Sequence, residues 1–116
     1  MNKRDLGLIG ENMAAEILGK SGYKIICRNY RCRMGEIDIV AEKRAEEQSE
    51  LCFIEVKTRS GSSYGRPCEA VDRKKQEHIR KAASCYLREL EYMGYIPERI
   101  SFDVMEITAE YIKHAF

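Results

Sequence analysis

The 116 residues are enough for one hydrophobic core and one domain, and a hydrophobic fraction of 44% with only two prolines argues against a disordered chain. Twenty basic residues against 19 acidic leave a net charge of +1, too little to coat nucleic acid by bulk electrostatics, so any such contact has to be local. The apolar run after the basic start Met1–Arg4 stops at Glu11, and nothing approaches transmembrane length, so a cytoplasmic protein is expected.

In chain order, Leu6, Ile9, Met13, Ala14, Ile17 and Leu18 recur at helical spacing and predict an amphipathic helix over residues 4–20, closed by Gly19 and Gly22. A strand over 23–30 follows, then a second over 35–41 with alternating character. Residues 42–50 are charged and predict a turn. A third strand spans 51–59, rich in residues that suit a pleated surface. The stretch Ser60-Gly61-Ser62-Ser63-Tyr64-Gly65 predicts a loop. A long helix from Asp72 to Tyr92 has Asp72 as its N-cap and an apolar stripe of Ile79, Ala82, Ala83, Tyr86, Leu87 and Leu90. Gly94 and Pro97 end it, and a last strand covers 100–107. The order αβββαβ predicts an α/β fold with a central mixed sheet flanked by helices, an antiparallel meander whose last strand is joined by a helical crossover. The five cysteines, Cys27, Cys32, Cys52, Cys68 and Cys85, form no CxxC pair and fit small buried hydrophobes in a reducing compartment.

Chemistry concentrates in the second and third strands. Residues two apart in a strand share a face at roughly 6.5–7 Å. Glu55, Lys57 and Arg59 therefore share one face of Phe53-Ile54-Glu55-Val56-Lys57-Thr58-Arg59, with Ile54 and Val56 on the other. In Gly35-Glu36-Ile37-Asp38-Ile39-Val40-Ala41, Glu36 and Asp38 share a face, with Ile37, Ile39 and Ala41 opposite. If these strands pair, Asp38 and Glu55 converge, and two close carboxylates call for a cation. Their oxygens suit Mg²⁺ or Mn²⁺, and Lys57 adds a point charge for a phosphate or a water. The same alternation also describes the solvated face of a half-exposed sheet.

These two motifs resemble the YraN family of bacterial proteins, which is similar to archaeal Holliday-junction resolvases and to the restriction-endonuclease-like superfamily, marked by an Asp followed by (D/E)xK. Gly10-Glu11, Arg28-Asn29-Tyr30-Arg31, Tyr64-Gly65, Glu69-Ala70-Val71, Lys75-Gln76, Ala82-Ala83, Tyr86-Leu87 and Phe102-Asp103-Val104 extend the resemblance over nearly the whole chain. It implies a single restriction-endonuclease-like domain over 1–116 that hydrolyses phosphodiester bonds in DNA, branched or junction DNA included, with Mg²⁺ or Mn²⁺. Asp38 and Glu55 would ligate the metal with the Val56 carbonyl, and Lys57 would orient the water or stabilise charge on the phosphate. Glu11 matches an additional metal-site carboxylate of the resolvases. The resolvase likeness also suggests a homodimer.

Further residues are candidates for supporting roles. Glu36 is a supporting acid at the site or a structural partner for an arginine, and Gln76 is a candidate helper from the long helix. Arg28, Arg31, Arg59 and Lys75 are candidate DNA contacts. Arg73, Lys74 and Lys75 crowd a helix start, where the macrodipole disfavours cations by roughly 0.3–1 kcal/mol each, and a docked phosphate would offset that. His78 and His114 form no metal-spaced pair, and no phosphate-binding glycine loop is present, so no nucleotide cofactor is expected. The rival reading is a binding module that keeps a nuclease fold to recognise DNA or protein without turnover.

Overall fold

A computed structural model describes residues 2–46, 48–60 and 71–116. Helix α1 (Lys3–Lys20) is capped by Asn2, whose Oδ1 accepts the Asp5 N–H at 2.8 Å. Its sheet-facing stripe is Gly10, Ala14 and Leu18, while the larger Ile9, Met13 and Ile17 remain 42–46% exposed. The choice of small residues has a steric cause. A Cβ on Gly10 would collide with Thr58 Oγ1 and come within 2.9 Å of its Cβ and Cγ2, so the helix lies too close to the sheet for bulky groups there.

The sheet runs β1 (Tyr23–Cys32), β2 (Gly35–Ala45), β3 (Gln48–Ser60), β4 (Arg99–Ala109), in that spatial order. The first two pairings are antiparallel and β3–β4 is parallel, reached through α2 (Arg73–Tyr92). The αβββαβ order and the mixed sheet between two helices are as the sequence predicts. The expected turn over 42–50 is mostly ladder: Lys43 sits opposite Glu50, Arg44 opposite Ser49 and Ala45 opposite Gln48. Opposite charges at facing positions support a strand pair as well as a turn.

Alternation along β2 departs from expectation. Ile37 and Val40 pack with Leu51, Phe53, Ile79 and Tyr86 on the α2 face, whereas Ile39 and Ala41 pack with Ala14, Leu18 and Ile54 on the α1 face. Ile37 and Ile39 thus lie on opposite faces, not one. The reversal falls at Asp38 and is matched on β1 at Asn29, whose φ of 55° is a left-handed conformation that few residue types other than glycine tolerate. Tyr30 and Ile37, directly opposite each other, consequently both turn toward α2. The Tyr30 hydroxyl donates to Glu89 Oε1 at 3.0 Å, and a Cβ on Gly35 would come within 2.8 Å of the His78 carbonyl, so the twisted hairpin tip rests on α2.

Asp72 caps α2, its Oδ1 accepting the Lys75 N–H at 2.7 Å. The helix covers β2 and β1 with Ile79, Ala82, Ala83 and Tyr86, flanked by Leu87 and Leu90, as its spacing predicts. Edge strand β4 keeps Ile100, Phe102 and Val104 partly open to solvent. Cys52 is buried while Cys27, Cys32 and Cys85 are half-buried thiols, and Cys68 and Tyr64 lie outside the described residues. Among the described residues no helix is long and apolar enough to cross a membrane.

Candidate active site

The ladder between β2 and β3 ends at Ile39 opposite Ile54. One residue further on, Asp38 Oδ2 accepts the Val56 N–H at 2.8 Å, so a carboxylate takes the place of a strand carbonyl where the two strands part. A residue's N–H and C=O leave an extended strand on the same edge, so the Val56 carbonyl faces this gap too. The reversal at Asp38 is what aims its side chain along the sheet toward β3.

Glu55 follows Phe53 on the α2 face of β3 and is only 5% exposed. Two ammonium groups flank its Oε1, Lys75 Nζ at 3.5 Å and Lys57 Nζ at 3.8 Å. Its Oε2 is buried and has no hydrogen-bond partner among the described residues. Burial first, and the adjacent Asp38 carboxylate second, push the Glu55 carboxyl up to about 7 against the opposing pull of Lys75 and Lys57. The lysines do not win because each is about a third exposed, where water screens its charge. A buried carboxylate with an unsatisfied oxygen is costly unless a cation or proton completes it. Two acids and a strand carbonyl form a donor set suited to a hard divalent cation.

The remaining sequence candidates scatter. Glu11 does not join Asp38 and Glu55. It faces Arg28 Nη2 at 3.5 Å, and that guanidinium also donates to Asn12 Oδ1 at 2.7 Å. Among the described residues the Glu11 Oε1 finds no hydrogen bond of good geometry despite that ion pair, so the attraction to Arg28 is a contact between charges only. Among the described residues no group of three His, Cys, Asp or Glu side chains gathers at metal-ligand spacing. Arg59 is tied to Glu106 on β4 at 2.7 Å, and Arg31 pairs with Glu36 at 3.1 Å on the exposed hairpin tip. Gln76 donates to the Val71 carbonyl at 3.0 Å and shares a cavity with Glu55.

Lys75 has a partner within the protein that its sequence position does not reveal. Its position at a helix start signals an unusual electrostatic partner, but that partner is the Glu55 carboxylate across the fold. Arg80 and Phe102, with the guanidinium 5.1 Å from the ring centroid, give no sequence signal because their pairing depends on where the crossover sets α2 over β4.

Fold and site together define a small α/β protein with an acid pair and two lysines at the fork of a mixed sheet. The model of the Uncharacterised protein family UPF0102 matches residues 10–107. The chain is similar to a UPF0102 protein of Chlorobium phaeobacteroides, 48% identical over 108 residues that cover 93% of this chain and 80% of that one. It is 46% identical over 107 residues to one from Syntrophomonas wolfei, covering 92% and 87%, and 40% identical over 119 residues to one from Alkaliphilus metalliredigens, covering 97% and 98%. The chain belongs to the UPF0102 family, the YraN-like group that its motifs resemble.

Proposed function

We propose that this protein is a divalent-metal-dependent nuclease that hydrolyses phosphodiester bonds in DNA. The observation that carries the reading is the buried Glu55 carboxylate, with one oxygen unpartnered among the described residues, set beside Asp38 and two lysines. Asp38, Glu55 and the Val56 carbonyl would hold Mg²⁺ or Mn²⁺, which when bound supplies an activated water and neutralises charge on the phosphate. The Val56 N–H fixes the Asp38 carboxylate, so its orientation is set before substrate arrives. Lys57 then acts as charge develops on the phosphate, because an ammonium donates to oxygen without competing as a ligand. Lys75 adds a second ammonium group beside the same Glu55 oxygen. Arg28 and Arg59, already paired with Glu11 and Glu106, are weaker candidates for DNA contact than Lys75.

The test has two arms. Calorimetric titration with Mn²⁺ should give binding in the wild type that Asp38→Ala abolishes. Labelled linear, nicked, flapped and four-way DNA incubated with Mn²⁺ should be cut, and EDTA should stop the cutting. Metal binding without cleavage of any substrate would favour the binding-module reading, and failure of both arms would reject the metal site.

A further inference from the structure

Between α2 and the edge strand lies a cavity of about 220 Å³ that the hydrolytic chemistry leaves unused. Its floor is the stacked pair Phe53 and Phe102, ring centroids 5.5 Å apart, continued by Val104. Helix α2 contributes Ile79, Gln76 and Arg80, and Glu55 closes one end. The slot exists because α2 settles over β2 and β1 and leaves the outer face of β4 only partly covered, with Phe102 39% and Val104 41% exposed.

The walls suit a flat, polar-edged ring. The Arg80 guanidinium lies 5.1 Å over the Phe102 ring, and this exposed side chain has to swing off that face to admit a heterocycle, which an aromatic ring accepts whatever its identity. Arg80 supplies donors for the edge of such a ring, and Gln76, whose amide nitrogen is committed to Val71, offers its oxygen as an acceptor. What selects a nucleobase over an aliphatic group or a protein side chain is the neighbourhood. Glu55 is common to the slot and to the acid pair, and Lys75 and Lys57 lie 3.5 and 3.8 Å from that carboxylate. An occupant of the slot that carries an attached phosphate would have two ammonium groups next door to receive it.

We propose that the slot between α2 and β4 is a base-binding subsite that takes one unpaired nucleobase beside the phosphate to be cut. The subsite deepens the nuclease reading and rests on it for the link to cleavage, while the binding of a base stands on the slot alone. A base stacked inside duplex DNA must be unpaired and extruded before it can enter, whereas a flap, gap or single strand offers one directly. The substrate class this defines is DNA with unpaired nucleotides at the cleavage point, in preference to uninterrupted duplex or a fully paired four-way junction.

Binding can be measured in EDTA, so that no strand is cut, with a 5′-flapped DNA carrying 2-aminopurine in the flap and with the matching uninterrupted duplex. The flap should bind about tenfold tighter, the scale of one base–aromatic stack. That ratio should fall toward one in Phe102→Ala and shrink in Arg80→Ala, with the 2-aminopurine signal change lost in both. An unchanged ratio in both variants overturns the subsite. Should Phe102→Ala fail to fold, the exposed Arg80→Ala and a titration of the wild type with deoxyadenosine monophosphate, followed by amide shifts around the slot, decide the same question. Slot shifts that depend on protein concentration and ignore nucleotide would assign it to a second copy and overturn the proposal. Flap preference without cleavage in Mn²⁺ keeps the subsite and rejects hydrolysis, and cleavage without flap preference does the reverse.

Discussion

Replacing Glu55 by glutamine tests the electrostatics of the site without any substrate. The carboxyl titrates at about 7 in the folded chain against an ordinary 4.5 when unfolded, because burial and then Asp38 oppose its charge. Below pH 4.5 it is protonated in both states and takes nothing from stability. Between 4.5 and 7 the unfolded chain loses its proton first, so stability falls as pH rises, and above 7 the full penalty is in place, on the order of 3 kcal/mol. Glutamine has the same shape and never ionises. It retains the pH-independent burden of a buried amide, so the informative quantity is how the stability difference between variant and wild type changes with pH. That difference should move in favour of Glu55→Gln by on the order of 3 kcal/mol between about pH 4 and about pH 8, measured by urea unfolding in EDTA. Saturating Mn²⁺ at the higher pH should then stabilise the wild type and leave the variant nearly unmoved, by about 2.7 kcal/mol at a hundredfold excess over Kd. A stability difference that stays flat across this range would mean that Glu55 is not strained by its surroundings, and the case for an incomplete cation site would lose its main support.

Gly10→Ala should destabilise the fold by roughly 1–3 kcal/mol, because its methyl group meets Thr58, and Thr58→Ala in the same chain should recover part of the loss in thermal unfolding. Lys57→Ala should leave fold and Mn²⁺ affinity near wild type while slowing single-turnover cleavage by about 10²-fold or more, and Lys57→Arg should rescue poorly. Lys75→Glu should weaken DNA binding and flatten its salt dependence. The helix dipole alone predicts unchanged or raised stability for that charge reversal, but a third carboxylate next to Glu55 should lower stability in urea unfolding at about pH 8, a sign that separates the two accounts.

The elements were legible because their periodicities are local. The α2 stripe from Ile79 to Leu90, the Asp72 cap and the order of strands follow from spacing and from turn chemistry. The Asp38, Glu55 and Lys57 motif could be read as a convergence because the two strands form a hairpin. What sequence did not give depends on exact approach. Helix α1 buries its small stripe because Gly10 meets Thr58, so the larger Ile9, Met13 and Ile17 lose the competition that hydrophobicity alone would award them. Strict alternation fails at Asp38 because an opposing asparagine adopts a left-handed backbone, which a two-residue period cannot anticipate. Glu11 matches the resolvase pattern in sequence, but its charge is taken up by Arg28.

The crossover that delivers α2 also sets an order in time. Asp38 and Val56, 18 residues apart, meet through a hairpin, whereas the contact of Tyr30 with Glu89 spans 59 residues and requires the helix to dock. Short-range pairings close with less loss of chain entropy than long-range ones. The two acids are therefore drawn together by the hairpin before Lys75 and the wall of α2 arrive to neutralise and enclose them. Self-repulsion in that half-built sheet acts as a brake on folding whenever Glu55 is ionised. Glu55→Gln should accordingly refold faster than the wild type in EDTA at about pH 8 in a stopped-flow comparison.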